Sequence, residues 1–268
     1  MVRNFSLCLG LMTVSMLWSS TGVSGKDYLN QHNFQAARTE TYRDAEKRTR
    51  LYRVQEPKDL QANPNVLIYM HGSAGKEEQG MDLAWERGTF ARLRNLMNRW
   101  GWVYICPRDA EFAGLLEHLA EKYAPQDIYL AGASGGGNIA LWEAQKNPSA
   151  YAGLLLLCPA IQPRGKRDPG PPSMPVWIVS ASKDRKITQK CRALVKKLEA
   201  LQSSCFYREI AGGHHGTPVQ KVNWQKALEF LQGKRRELVA SLSIVSRVPS
   251  STVSLPGREA SQSSNPVP

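Results

Sequence analysis

The chain has 268 residues, of which 42% are hydrophobic and 22% charged, and a formal net charge of +12. That length and composition exclude a wholly disordered chain and allow either one large α/β domain or two small ones. The excess of 35 Lys and Arg over 23 Asp and Glu asks for an anionic partner, but the basic residues are scattered, with no aromatic-interleaved stripe and no helix-turn-helix or zinc-finger spacing. A solvated basic surface that binds no nucleic acid is therefore expected.

Residues 1–25 have the layout of a secretory signal, with Arg3 as the positive start, an apolar stretch over 5–18 and a small-residue exit at Val23-Ser24-Gly25. The apolar stretch is short for a hydrocarbon core of ~30 Å, so cleavage and export are expected rather than a membrane anchor. The mature chain, at +11, is then periplasmic or secreted and keeps no stable span. Its cysteines are Cys106, Cys158, Cys191 and Cys205. They form no C-x-x-C pair and no dense framework, and no obligatory disulfide is expected.

Over 38–54 the alternation Arg-Thr-Glu-Thr-Tyr-Arg, a polar turn and Arg-Thr-Arg-Leu-Tyr-Arg-Val predicts a leading hairpin. Short apolar runs follow at 66–70, 102–106, 128–131, 154–158, 176–180 and 206–210. Helical patterns separate them at 83–100, 110–123, 137–146 and 189–201, with a last one at 220–231. Strands apolar throughout are buried on both faces, and parallel strands need crossover connections. The alternation thus predicts an α/β class: one mostly parallel twisted sheet with helices on both faces, spanning 26–232 as a single domain. The Pro-, Gly- and Arg-rich stretch 162–175 reads as an irregular loop too short for a lid domain, so only a minimal cap is expected. From Gly233 the chain turns Ser- and Pro-rich, and 233–268 reads as a disordered tail.

The chemistry concentrates where strands end. The run 128–131 leads into Gly132-Ala133-Ser134-Gly135-Gly136 and then a helical segment. A serine on a sharp strand-to-helix turn needs small neighbours on both sides, which Gly132 and Gly136 supply, and the amide of Gly135 then sits at a helix N-terminus where it can hold an oxyanion. The string alone discriminates poorly. Gly135 to Ala140 also fits G-x-G-x-x-A, which belongs on the first strand of a dinucleotide unit, and a tight turn with an incidental serine stays open.

Two later positions agree with catalysis. Asp184 follows the strand at 176–180, and Ala211-Gly-Gly-His214-His215-Gly216 follows the strand at 206–210. Active sites of open α/β sheets lie at that strand edge, and the order Ser, Asp, His is the one a hydrolase sheet requires. Taken singly, Asp184 also reads as a helix cap and the histidines as loop residues. A metal site is not expected, since no third ligand stands at metal spacing. Arg108, Asp109, Arg164, Lys166, Arg167, Lys183 and Arg185 fall around the same edge. They read either as a rim for anionic substrates or as ordinary solvated loops.

Upstream, the run 66–70 is followed by His71-Gly72-Ser73-Ala74-Gly75. With the other motifs this resembles the α/β-hydrolase superfamily, in the small, lid-poor branch of esterase-like, dienelactone-hydrolase-like and polyester-depolymerase-like enzymes with a serine nucleophile. The resemblance implies an oxyanion hole from the amides of Ser73 and Gly135, a structural role for His71, a Ser134–His–Asp184 triad and no cofactor. Gly-Gly-His resembles the family's lead-in to its base, which favours His214, with His215 as the alternative. The implied activity is hydrolysis of carboxylic esters or thioesters, small or polymeric. A peptidase of the same fold and a catalytically silent binding protein stay open.

Overall fold

The structure is a computed structural model and describes residues 36–73, 75–82, 85–162 and 170–245. The signal expected at 1–25 lies outside them. The predicted hairpin forms from β1 (Arg38–Arg43) and β2 (Thr49–Gln55), paired antiparallel. Asp44 closes its turn, accepting from the Arg48 amide at 2.7 Å and from Nε of Arg48 and Arg50 at 2.7 and 2.9 Å.

Six further strands follow: β3 (Val66–Met70), β4 (Val103–Pro107), β5 (Ile128–Ala133), β6 (Gly153–Leu157), β7 (Val176–Ala181) and β8 (Cys205–Ile210). Six helices alternate with them: α1 (Trp85–Trp100), α2 (Ala113–Tyr123), α3 (Gly135–Lys146), α4 (Arg185–Ala200), α5 (Thr217–Lys221) and α6 (Trp224–Val245). The strands form one eight-stranded sheet in the order β1-β2-β4-β3-β5-β6-β7-β8. From β4 to β8 every pairing is parallel, and β2 joins β4 antiparallel. The expected architecture is therefore met.

Period-two alternation along the strands builds two cores. Ile68, Leu130, Leu154, Leu156, Val176 and Ile178 face one side, against α2, α3 and α4. Leu67, Tyr69, Tyr129, Leu155, Leu157 and Val179 face the other, against α1, α5 and α6. Each fully buried aliphatic side chain adds roughly 1.5–3 kcal/mol, so the central strands β3, β5 and β6 form the most firmly held part of the molecule.

Two expectations at the C-terminal side are corrected. The single helix expected at 220–231 is two, because Asn223 interrupts it and starts α6 by accepting from the Lys226 amide at 3.0 Å. The tail expected from Gly233 does not begin there, since α6 continues to Val245. A Cβ on Gly233 would meet nothing within 4 Å, so this glycine is a mid-helix residue on an open face, and the strong helix formers after it carry the turn onward. Residues 246–268 lie outside the described part, as do 163–169 of the expected irregular loop; 170–175 contain neither helix nor strand.

Candidate active site

Strand β5 delivers Ser134 into a sharp turn before α3, with φ of 53° and ψ of −120°. This is a left-handed conformation that non-glycine residues adopt only where their surroundings enforce it. Here the Ser134 amide donates to Leu157 O at 2.9 Å, and its carbonyl accepts from Ala160 N at 2.8 Å, so β6 and its exit fix the turn from one side. A Cβ on Gly132 would lie 2.4 Å from Gly136 O, and one on Gly136 would lie 2.2 Å from both Met70 O and His71 O. Both positions need glycine because backbone passes too close for any side chain.

Asp184 follows β7 at the start of α4. Its side chain makes no capping bond to that helix, so the helix-cap reading fails. The carboxylate instead accepts a hydrogen bond from the ring of His215 through Oδ2 and Nδ1. The other ring nitrogen of His215, Nε2, lies 2.8 Å from Ser134 Oγ. Serine, imidazole and carboxylate thus form one continuous chain.

The preference for His214 over His215 is corrected by this geometry. His214 is drawn into the turn that opens α5: its amide donates to Thr217 Oγ1 at 2.9 Å, and its carbonyl accepts from Thr217 N at 2.9 Å. The next residue is the one that faces Asp184 and Ser134. The loops after β7 and β8 are also stitched together, Ser182 N to Ile210 O at 3.0 Å and Lys183 N to Gly213 O at 3.0 Å, which sets the reach of His215 toward Asp184.

The loop after β3 closes the site from the opposite side. A Cβ on Gly135 would lie 3.2 Å from Ser73 N, and one on Gly72 would lie 3.6 Å from Ser134 Cβ. The two amides expected to form the oxyanion hole are therefore neighbours beside the serine. Gly135 also opens α3, where free amides and the helix dipole favour negative charge. The His71 ring is engaged elsewhere: its Nδ1 and Nε2 lie 2.9 Å from Gly72 O and 3.3 Å from Arg108 O.

One pair escaped the reading of the sequence. Glu77 is 1% exposed and accepts from Arg108 through both carboxylate oxygens, Nε to Oε2 at 2.9 Å and a second bond from the terminal nitrogen. The Arg108 guanidinium holds the Glu77 carboxyl below its usual range, against the opposing push of burial. Together with the His71 contact to Arg108 O, this pins the 71–78 loop to the end of β4. Nothing in the spacing signals a partner 31 residues away. Because the folded-state value is depressed, the stabilisation is present above the ordinary Glu value of ~4.3 and is lost as pH falls through the lower folded value. Arg108→Ala should strand a buried carboxylate and loosen the loop that carries Ser73. A fall in turnover of roughly tenfold or more is expected, bounded by the ~10²–10³ of a lost oxyanion donor, and steady-state kinetics beside a thermal melt checks it. Glu77→Gln should flatten the acid side of the stability profile.

Part of the expected basic rim falls within the described residues. Arg108 is engaged by Glu77, and Asp109 pairs with Arg50 at 3.2 Å; Arg164, Lys166 and Arg167 lie outside the described residues. Arg185 opens α4, and Lys183 stands beside an open cleft of about 560 Å³, which Asp184, Lys186, Ile187, His214 and His215 also line. Cys106, Cys158, Cys191 and Cys205 are free thiols, the first three buried. Burial pushes Cys106 and Cys191 up to about 12, far from nucleophilic use. Among the described residues no group of three His, Cys, Asp or Glu is placed to hold a metal ion, and no helix is long and apolar enough to cross a membrane.

No protein-family model matches the chain, and no curated protein matches it by sequence. Solved structures do resemble it in fold. A thermostable esterase superposes with a TM-score of 0.56 at 20% identity, covering 74% of this chain; the chain spans 63% of that protein's length. A ferulic acid esterase gives 0.56 at 14% identity over 75% of this chain and 99% of its own. A thermophilic carboxylesterase cloned from a metagenomic library gives 0.51 at 16% identity over 81% and 96%.

Proposed function

We propose that this chain, which has the α/β-hydrolase fold, is an exported serine hydrolase of carboxylic esters or thioesters. The observation that carries the reading is His215, whose two ring nitrogens bridge Ser134 Oγ and the Asp184 carboxylate. In this reading His215 Nε2 takes the Ser134 proton as Oγ attacks the substrate carbonyl. Asp184 orients the ring and stabilises the imidazolium, and the amides of Ser73 and Gly135 donate to the tetrahedral oxyanion. Collapse of that intermediate expels the leaving alcohol or thiol, which takes its proton from His215 and leaves the acyl group on Ser134. A water molecule, deprotonated by the same imidazole, then releases the acid and restores the serine.

The esterases that share this fold support an ester as the scissile group, and the open cleft beside His215 supports a substrate that docks without a lid domain. Export rests on residues 1–25, and a secreted form beginning at Lys26 is its expected signature in N-terminal sequencing. The test of the activity is hydrolysis of p-nitrophenyl acetate and butyrate, together with a fluorophosphonate probe whose adduct is mapped by mass spectrometry. Turnover with the adduct on Ser134 is expected. A chain that neither turns over nor labels would return the reading to a silent binding protein, and cleavage of amides alone would make it a peptidase.

A further inference from the structure

Strand β8 lies at the edge of the sheet, and its two faces are treated differently. Cys205, Tyr207 and Glu209 face α4, where the polar groups find partners: Tyr207 Oη lies 2.8 Å from Ser180 Oγ, and Glu209 pairs with Arg192 at 2.7 Å. Phe206, Arg208 and Ile210 alternate onto the face of α6. There a cavity of about 280 Å³ opens between β7, β8 and the α5–α6 junction.

Three features of this cavity point to a ligand. Its wall is apolar and aromatic, with Phe206, 36% exposed, stacked on Trp177 at a centroid separation of 3.7 Å. Arg208, Lys221 and Lys226 line it, and none of the three has an ion pair among the described residues, unlike Arg192 across the strand. Finally, the indole Nε1–H of Trp177 is buried without a hydrogen-bond partner among the described residues, on a side chain only 8% exposed. Buried donors are nearly always paired, because an unmade bond forfeits the solvation the group had in water.

We propose that this cavity binds a small aryl or alkyl carboxylate, at a site separate from Ser134, Asp184 and His215. The apolar body packs on Phe206 and Ile210, and the carboxylate is held by the Arg208 guanidinium, whose planar fork suits two oxygens, with Lys221 and Lys226 adding charge. The volume suits a monocyclic acid rather than a polymer segment. The wall favours an organic anion over a bare one.

The test is a titration of full-length protein, labelled with ¹⁵N at its seven tryptophans, with sodium benzoate. Trp177→Phe identifies the Trp177 indole resonance by its disappearance. A saturable shift of that resonance is expected, with the same Kd in Ser134→Ala, which separates this site from the proposed active site. Acetate, benzyl alcohol and inorganic phosphate should each bind at least ~10-fold more weakly, as should benzoate to the Arg208→Gln/Lys226→Gln double variant, since one charge-assisted contact accounts for about that factor. No saturable shift up to about 20 mM benzoate, a range that covers weak millimolar binding, would overturn the proposal. So would an unchanged Kd in the double variant, or phosphate binding as tightly as benzoate.

Discussion

Ser134→Ala should abolish ester hydrolysis, with turnover falling by about 10⁶ and fluorophosphonate labelling lost. Ser134 Oγ is held on a left-handed turn at the end of the central strand β5, 2.8 Å from His215 Nε2 and beside the neighbouring amides of Ser73 and Gly135. No other hydroxyl shares that set of partners in the described residues, and Cys106 and Cys191 are too basic to replace it. Alanine keeps Cβ and leaves the turn's backbone bonds to Leu157 and Ala160 in place, so the variant should melt close to wild type. A correctly folded variant that still carried the phosphonate adduct would remove Ser134 from the mechanism.

The second large effect separates adjacent residues. His215→Ala should lose activity by about 10⁶, as removal of the base does in such triads, while His214→Ala should stay within about tenfold of wild type. His214 acts through its backbone, in the turn with Thr217, and alanine keeps both of those bonds. His215 acts through both ring nitrogens. Kinetics of the two purified variants on one ester decide the matter. Comparable activity in both, or the reverse order, would contradict the assignment of His215 as base.

Most of the architecture was legible because its signals are local. Runs such as Val66-Leu-Ile-Tyr-Met70 are apolar at every position, which only a strand buried on both faces requires, and the strand ends fell within a few residues of their expected places. The elbow was legible because backbone crowding at Gly132 and Gly136 demands glycine. What escaped depends on spatial relations that pattern does not carry. The register of a tight loop decides between His214 and His215, and a hydrogen bond from the His214 amide to Thr217 shifts that register by one. The pairing of Arg108 with Glu77 is set by the way the 71–78 loop folds back on β4, so a residue that looked like exposed rim proved to be a brace. The tail was placed too early because the Ser- and Pro-rich composition was read as starting at Gly233, whereas that glycine faces open space inside α6.

The site is divided between parts of the sheet that differ in how firmly they are held. Ser134 and the amides of Ser73 and Gly135 follow β5 and β3 inside the sheet, whereas Asp184 follows β7 and His215 follows the edge strand β8. The bonds from Ser182 to Ile210 and from Lys183 to Gly213 tie these last two loops to each other, so carboxylate and imidazole keep their mutual geometry even as they drift from the serine. Edge strands open at lower free energy than central ones. Warming should therefore disengage Asp184 and His215 together before the support of Ser134 fails, which hydrogen-exchange protection in β8 lower than that in β5 would show.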